Sequence, residues 1–280
     1  MALSPGQVKG RINNLAKANN ANPSVLMRLY MMERFLERVA NSPYSKSFII
    51  KGGVLVTSLL GVSLRSTMDI DATVLNLDLS EEMMYNVISE IGEIDIHDGV
   101  SFTINSVSHI MDEMEYPGFR FAVEAKMGKM VTPIKIDIST GDALTPGAIK
   151  YDYNLMLENR SIILASYNLE TLLSEKLQTI LSRGVLNTRM RDYYDIYSLH
   201  LRFSNQINKT ILRKAFESTC QRRGTLELYV RGEDILKLIS KSTDLPNLWE
   251  VYKKKYEYAS GIPFANVIEA LKSFLKMMHE

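Results

Sequence analysis

The chain of 280 residues has few of the residues that form covalent or metal cross-links. Its single cysteine, Cys220, excludes an internal disulfide, and such sparse cysteine usage is typical of a reducing cytoplasm. The four histidines are scattered, and no Cys/His cluster has the spacing of a zinc site. These scarcities argue against a disulfide-stapled secreted domain, a zinc-stabilised fold and a mechanism centred on histidine.

Long apolar runs are missing as well. No stretch reaches the roughly 18 apolar residues that indicate a membrane span, and the first residues lack the apolar core of a signal peptide. Hydrophobic residues make up 46% of the chain and charged residues 23%, which is ordinary for a globular protein. We therefore expect a cytoplasmic protein without a membrane partner.

The net charge of +1 conceals an uneven distribution along the chain. Residues 1–175 hold 15 Lys and Arg against 21 Asp and Glu, whereas residues 176–255 hold 16 against 8. A basic part next to an acidic, metal-binding part would suit a polyanionic substrate. The alternative is a solvated helical surface with ordinary lysines, and clustering in sequence does not decide between the two.

A pair of glycines followed by Asp-x-Asp is the most informative feature present. Phe48–Lys51 reads as a buried strand, Gly52 and Gly53 as a turn, and Asp69 and Asp71 as residues of a second strand. Side chains two apart in a strand share a face, so both carboxylates project together and repel unless a cation lies between them. Mg²⁺ prefers such oxygen ligands, and a helix that begins after the glycines would direct its free N–H groups at an anion. The pattern predicts a nucleoside triphosphate site.

This combination resembles the polymerase-β-like nucleotidyltransferases. The flanking motifs resemble more closely the AbiEii/AbiGii family of abortive-infection nucleotidyltransferase toxins: Lys51-Gly52-Gly53 and Arg65-x-Thr67-x-Asp69-Ile70-Asp71. One residue departs from the family pattern, because a Ser or Thr that contacts a phosphate usually follows the second glycine. Val54 stands there in this chain, so one hydroxyl contact is missing.

Two downstream segments carry the same resemblance: Glu175-Lys176-Leu177 and Arg191-Asp192-Tyr193-Tyr194-Asp195. Lys176 and Arg183 lie seven residues apart, so they share a helix face from which both could reach a triphosphate. The resemblance implies that Lys176 contacts phosphate, that Asp192 holds this lysine or orients the substrate, and that Asp195 lies one turn further on. The alternative is a surface Lys176 beside a structural Arg191–Asp192 ion pair.

Asp137 lies in an apolar strand, where an unpaired carboxylate would be costly to bury. The resemblance implies that a third acid on such a strand can bind the metal and take the proton of the attacking hydroxyl. An edge-strand Asp facing water and an ion pair with Lys135 are the alternatives, and Glu124 is a weaker candidate for the same patch. Arg65 either contacts phosphate or braces the loop before Asp69.

The expected fold is α+β: a polymerase-β-like nucleotidyltransferase core with a mixed sheet, followed by a helical C-terminal domain. We predict N-terminal helices within residues 1–45, the core at 46–165 and the helical domain at 166–280. Within the first two parts, the periodicity predicts helices and strands as follows: helices at 5–19, 23–41, Val54–Leu60 and Ser80–Ile91; strands at Phe48–Lys51, Met68–Leu75, Ser101–Ile110, Phe119–Met127, Val131–Ser139 and Ser161–Ala165.

The resemblance implies a toxin that uses Mg²⁺, or Mn²⁺ in its place, to move a nucleoside monophosphate from an NTP to an RNA acceptor, with a tRNA 3′ end expected. A co-encoded antitoxin would restrain the growth arrest that serves phage defence. The predicted catalytic residues are Asp69, Asp71, Asp137, Lys176 and Asp192, of which the first three form the metal set. The predicted nucleotide-binding residues are Gly52, Gly53, Arg65, Thr67, Lys176, Arg183 and Asp195. A protein or small-molecule acceptor, or a degenerate member that binds nucleotide without transfer, remain as alternatives.

Overall fold

The structure is a computed structural model that describes residues 3–78, 80–110 and 118–279. The chain divides into two compact units. The sheet unit comprises Met1–Gly141 and Ala148–Ser166, and the helical unit comprises Asp142–Gly147 and Tyr167–Glu280.

The sheet unit begins with the two predicted helices, α1 (Pro5–Ala18) and α2 (Pro23–Asn41). Both start where the sequence provides a cap and a proline in the first turn. Ser4 forms a capping box with Gln7, and Asn22 accepts a hydrogen bond from the backbone N–H of Ser24. Most of α2 is buried, and it packs against the sheet. The prediction of these helices is confirmed.

Seven strands form one mixed sheet in the part of the chain that the structure describes. The elements are β1 (Phe48–Lys51), α3 (Gly52–Leu60), β2 (Asp69–Val74), α4 (Glu81–Glu93), β3 (Val100–His109), β4 (Gly118–Met127), β5 (Met130–Thr140), β6 (Ile149–Asn154) and β7 (Ser161–Ser166). The strands run in the spatial order β3-β4-β5-β2-β1-β7-β6, with the β1–β7 and β2–β5 pairs parallel and the others antiparallel. This confirms the predicted α+β class with a mixed sheet.

Strand β6 and the start of α3 differ most from the prediction. The residues before the predicted strand Ser161–Ala165 were read as a loop, but they contain β6, in which most side chains are exposed and Tyr153 alone is buried. The period-2 signal was present in the sequence, because Ile149, Tyr151 and Tyr153 alternate with polar residues. Helix α3 begins at Gly52, two residues before the predicted start at Val54. The glycine pair is therefore the first turn of the helix.

The two faces of the central strands differ in chemistry. Apolar side chains such as Ile50, Ile70 and Ile136 are completely buried on one face, against the helices. The neighbouring residues in each strand project to the opposite face, since successive side chains of a strand alternate. The charged residues Lys51, Asp69, Asp71 and Asp137 are among these neighbours, so the alternation places them together on one side of the sheet.

The helical unit contains the predicted run of helices: α5 (Leu169–Arg183), α6 (Met190–Phe203), α7 (Lys209–Arg222), α8 (Glu227–Ser240), α9 (Asp244–Lys255) and α10 (Phe264–His279). Asn168 caps α5 by accepting the N–H of Thr171. Trp249 is buried, stacks on Tyr252 and donates its indole N–H to the carbonyl of Ile262. Across the described ranges, no helix has both the length and the hydropathy of a membrane span.

A buried acid in α2 predicts a pH-dependent stability. Both carboxylate oxygens of Glu33 accept the N–H of Met156, at 3.0 and 3.1 Å. Burial, as the main cause, raises the pKa of Glu33 from 4.5 to about 8, and the nearby Glu158 and Glu37 add to the rise. The folded protein therefore holds a proton that the unfolded chain releases, and the free energy of unfolding should fall as pH rises through this window.

Replacing Glu33 by glutamine should flatten this dependence, because the amide keeps an acceptor for Met156 and cannot ionise. Urea unfolding at several pH values between 5 and 8.5 measures the effect, and Glu82→Gln on the exposed surface of α4 is the matched control. If wild type and Glu33→Gln lose stability in parallel with rising pH, Glu33 does not carry the proton.

Candidate active site

Four charged residues form a row across four neighbouring strands. Lys51 of β1 is paired with Asp71 of β2, Asp71 with Asp137 of β5, and Asp137 with Arg120 of β4. Paired residues of neighbouring strands project to the same face of a sheet. The row therefore places two carboxylates side by side between two cations, and Asp69 lies two residues before Asp71 on the same face.

Asp71 caps the helix that follows β1. Its Oδ2 accepts the backbone N–H of Gly53 at 2.8 Å, whereas the N-cap residue of α3, Lys51, makes no side-chain cap. The carboxylate thus satisfies one of the unpaired N–H groups at the positive end of the helix dipole. Burial, followed by Asp137 and Asp69, nevertheless raises the pKa of Asp71, against the opposing effects of the Gly53 N–H and Lys51. The negative charge here is only partly compensated, which favours a further cation.

The two glycines make room for the protein's own side chains. Gly52 has a φ of +55°, and a Cβ there would lie 2.3 Å from Oδ2 of Asp71. A Cβ on Gly53 would lie 2.5 Å from Oγ1 of Thr67, a buried residue that donates to the carbonyl of Asp69 at 3.3 Å. The absence of both Cβ atoms therefore lets Asp71 and Thr67 pack against the turn.

Val54 and Arg65 are both buried near this turn. The side chain of Val54 is completely enclosed in the core, so an apolar residue fits there. Arg65 is 1% exposed and donates to the backbone carbonyl of Ser66. A buried guanidinium on loop backbone is the contact expected of a residue that braces the segment before Asp69.

Asp137 is held by an arginine that the sequence reading missed. Nε and Nη2 of Arg120 donate to its two oxygens at 2.8 and 2.6 Å, so the pair is bidentate. The partner is thus Arg120, rather than Lys135 as the alternative had it. Glu124 shares the face of Arg120, but it lies four residues further along β4, opposite Pro133. The signal was available, because a hairpin turning at Gly128-Lys129 brings residues 120 and 137 opposite each other.

In the helical unit, Lys176 is clamped between two acids. Its Nζ donates to Oδ1 of Asp192 at 2.9 Å and lies 2.7 Å from Oδ2 of Asp195, which is completely buried. Lys176 is 9% exposed, so the surface-lysine alternative is wrong. The Arg191–Asp192 pair of that alternative is also replaced. Asp192 pairs with Lys176 and with Nε of Arg189 at 3.1 Å, while Arg191 donates to the hydroxyl of Tyr256.

A second cation contacts helix α5 in the helical unit. Arg223, the residue after α7, donates to Gln178 at 2.6 Å and to Thr179 at 3.2 Å, and it lies 3.4 Å from Glu175. Arg183, the last residue of α5, is partly buried. No local pattern in the sequence marks Arg223, because its contacts arise from the packing of α7 on α5.

Comparison with known proteins decides the family. The model described as nucleotidyl transferase AbiEii toxin, type IV TA system, matches residues 34–270. The chain belongs to this AbiEii family. It is therefore a nucleotidyltransferase toxin of a type IV toxin–antitoxin system, which confirms the predicted family and enzyme class. Membership also implies a nucleotide substrate and an antitoxin partner.

One solved structure shows the same fold at low sequence identity, and another is similar over most of its length. MenT4, a nucleotidyltransferase toxin from Mycobacterium tuberculosis H37Rv, is 13% identical with a TM-score of 0.56, and the match covers 99% of each chain. JHP933 from Helicobacter pylori is 15% identical with a TM-score of 0.49, over 92% of this chain and 94% of that chain. The search of curated proteins found no match.

Three carboxylates of this AbiEii toxin, on β2 and β5, have the donor chemistry of a hard cation site. Asp69, Asp71 and Asp137 offer only oxygen ligands, and burial, followed by repulsion from Asp137 and Asp69, raises the pKa of Asp71. Within residues 3–78, 80–110 and 118–279, no three His, Cys, Asp or Glu side chains already converge on one point. Asp137 instead bonds Arg120. The residues fit a divalent ion by chemistry and charge, and the three-ligand metal set stays a prediction.

The geometry of the glycine turn predicts a large effect of adding one methyl group. Gly53→Ala would place the Cβ 2.5 Å from Oγ1 of Thr67, so the Thr67 side chain, which bonds the carbonyl of Asp69, must shift. Misplacing a catalytic group by about 1 Å can reduce a rate by about a hundredfold, and we expect nucleotidyl transfer to fall by at least that factor.

Gly10→Ala in α1 is the matched control, because no atom lies within 4 Å of the added Cβ. Transfer rates and thermal unfolding of both variants are compared with wild type. A Gly53→Ala protein with transfer within twofold of wild type would show that the contact with Thr67 does not position the site.

Proposed function

We propose that this toxin is a Mg²⁺-dependent enzyme that transfers a nucleoside monophosphate from an NTP to an RNA acceptor, with a tRNA 3′ end as the expected acceptor. The resulting growth arrest serves phage defence and is restrained by a co-encoded antitoxin. The observation that carries the proposal is the position of Asp71, which lies beside Asp137 on the sheet and bonds the glycine turn that begins α3.

The sheet unit supplies the groups that the transfer requires. Asp69 and Asp71 would hold the divalent ion, which when bound supplies positive charge for the phosphate oxygens. The N-terminal turn of α3 at Gly52 and Gly53 presents the positive end of the helix dipole to the β- and γ-phosphates. Thr67 packs against this turn, and Arg65 braces the loop before Asp69.

Asp137 is the group best suited to accept a proton. The acceptor hydroxyl forms a bond to the α-phosphorus, the bond from that phosphorus to the β-bridging oxygen breaks, and pyrophosphate leaves. A carboxylate within hydrogen-bond reach can take the proton of the attacking hydroxyl. The bidentate contact with Arg120 orients the carboxylate of Asp137.

In the helical unit, Lys176 remains our proposed phosphate-binding residue. Two carboxylates fix its ammonium group, so little conformational entropy is lost when it takes up an anion. Asp192 and Asp195 hold the lysine, and Arg183 ends the same helix. Positioning and charge neutralisation are the main requirements of phosphoryl and nucleotidyl transfer, which is what these residues would supply.

The test is transfer of label from each α-³²P-NTP to total tRNA in the presence of Mg²⁺. We expect label on RNA with at least one NTP. Labelling should stop when EDTA is added before the reaction and should return when Mg²⁺ or Mn²⁺ is supplied in excess. The Asp69→Ala protein should give no label. Absence of transfer with all four NTPs, or full transfer by Asp69→Ala, would contradict the proposal.

Two further experiments test the identity of the acceptor and the role of the antitoxin in cells. Bulk protein and an aminoglycoside replace tRNA in parallel reactions, and label on either in preference to RNA would favour the alternative acceptors. Induction of the toxin in cells with and without its neighbouring gene tests the antitoxin. We expect arrest without the neighbour, rescue with it, and reduced phage yield when both genes are present.

A further inference from the structure

A groove in the helical unit lies between the start of α6 and the last turns of α9. It has a volume of about 440 Å³ and is lined by ten residues, among them Arg189, Arg191, Val251, Lys255 and Tyr256. Asp192 is the one lining residue that belongs to the predicted catalytic and binding sets. The other nine lining residues have no role in the catalytic proposal.

The groove carries net positive charge. Three lining residues are cations, Arg189, Arg191 and Lys255, and Asp192 is the single acid of the lining. Asp192 is already paired with Lys176 and Arg189. Lys255 and Arg189 are exposed, so a polyanion in the groove would meet cations that remain accessible to solvent.

The wall of the groove is apolar and aromatic. Val251 is 65% exposed although it is apolar, and Leu248 lies one turn before it on the same helix. The guanidinium of Arg191 and the ammonium of Lys255 each lie 5.6 Å from the ring centroid of Tyr256. A strip of cations beside an apolar wall suits single-stranded nucleic acid, because phosphates pair with the cations while bases and riboses cover the wall.

One carboxylate connects the groove to the proposed phosphate-binding lysine. Oδ1 of Asp192 accepts a hydrogen bond from Lys176, and its Oδ2 forms an ion pair at 3.1 Å with Nε of Arg189, which lines the groove. Only Asp192 therefore separates Arg189 from Lys176, so an RNA strand bound by Arg189 would lie close to Lys176. We propose that the α6–α9 groove binds the single-stranded 3′ segment of the RNA acceptor, an inference that rests on the proposed function.

Two neighbouring lysines of α9 provide a matched test. Lys254 and Lys255 are both exposed, but only Lys255 lines the groove. Lys255→Glu and Lys254→Glu change the net charge equally, so a difference between them reports on the groove. Binding of fluorescently labelled total tRNA is measured by anisotropy without NTP, over a range of salt concentrations.

We expect Lys255→Glu to weaken RNA binding about tenfold and to reduce the slope of log affinity against log salt by about 0.7, the value of one lost phosphate contact on a single strand. Lys254→Glu should stay within threefold of wild type. In the transfer assay, Lys255→Glu should raise the KM for RNA and leave the KM for NTP unchanged.

An apolar pair tests the wall independently of the cations. Val251→Glu places a negative charge in the groove, and Val230→Glu places the same charge on α8, where Val230 is 81% exposed and lies outside the lining. Neither substitution disturbs the core. We expect Val251→Glu to weaken RNA binding at least tenfold, and Val230→Glu to leave it within threefold.

The possible outcomes distinguish failure of the groove proposal from failure of the proposed transfer reaction. Equal effects of Lys255→Glu and Lys254→Glu, while wild type labels RNA, would overturn the groove and leave the proposed function standing. If Lys255→Glu lost binding to the purified antitoxin and kept its affinity for RNA, the groove would be a site for a protein partner and the RNA proposal would be overturned. Wild type that binds RNA through Lys255 but labels none would support the groove and refute the transfer reaction.

Discussion

Asp71→Asn is expected to reduce nucleotidyl transfer by about a thousandfold or more while leaving the protein folded. The substitution removes a charge that we assign to the divalent ion, and the several kcal/mol that such an ion contributes to the transition state correspond to a rate loss of this size. The amide oxygen can still accept the N–H of Gly53, so the cap of α3 survives.

The same substitution should not lower stability. Asp71 is destabilised in its charged form by burial and by the neighbouring Asp137 and Asp69, which is why its pKa is raised. A neutral side chain at this position removes that repulsion, and active sites commonly hold such unfavourable arrangements at the expense of stability. We expect the Tm of Asp71→Asn to equal or exceed that of wild type.

Asp152→Asn is the matched control for this experiment, because Asp152 is exposed on the edge strand β6 of the same sheet. It should change neither transfer nor Tm. An Asp71→Asn protein that keeps more than about a tenth of wild-type transfer would show that this carboxylate does not take part in the reaction, since a tenfold loss corresponds to about 1.4 kcal/mol.

Lys176→Met is expected to lose both activity and stability. The substitution leaves the buried acids Asp192 and Asp195 facing each other without the cation that bonds both. Breaking a buried ion pair by removal of one partner typically costs about 3–5 kcal/mol. Urea unfolding should therefore show a large fall in the free energy of unfolding, or no folded protein at all.

A triple variant separates the two losses. Lys176→Met combined with Asp192→Leu and Asp195→Leu replaces the whole ion cluster by apolar side chains, which is often neutral for stability. We expect this protein to regain most of its stability and none of its transfer activity. If it regained transfer, Lys176 would be a structural residue and would have no part in binding phosphate.

Lys237→Met is the control for the loss of a lysine–aspartate contact as such. Lys237 pairs with Asp234 at 2.9 Å, but both side chains are largely exposed. Solvent and salt screen exposed pairs, so this variant should remain close to wild type in both assays.

Much of the fold follows from local signals in the sequence. The caps at Ser4, Asn22 and Ser80 mark helix starts that the structure confirms. The spacing of Asp69 and Asp71 placed both on one strand face, and the turn at Gly128 fixed the register of β4 and β5. Periodicity and turn chemistry act over a few residues, which is why a single chain reveals them.

What the sequence did not reveal depends on contacts between distant segments. Asp71 caps a helix that begins 19 residues earlier, and Arg120 reaches Asp137 across a hairpin. Arg223 bonds α5 through the packing of α7, and the groove joins Arg191 to Tyr256, 65 residues apart. These features arise from tertiary packing, which propensity does not encode. Strand β6 is the exception, because Ile149, Tyr151 and Tyr153 alternate with polar residues and this local signal was overlooked.

The most direct test of the carboxylate site is a crystal structure of the toxin with Mn²⁺ and a non-hydrolysable NTP, in which anomalous scattering locates the metal. Our account predicts a peak at about 2.0–2.3 Å from carboxylate oxygens of both Asp69 and Asp71, with the triphosphate against the glycine turn and Asp137 within reach of the ion. A metal peak away from Asp69 and Asp71, or a triphosphate bound elsewhere on the protein, would contradict it.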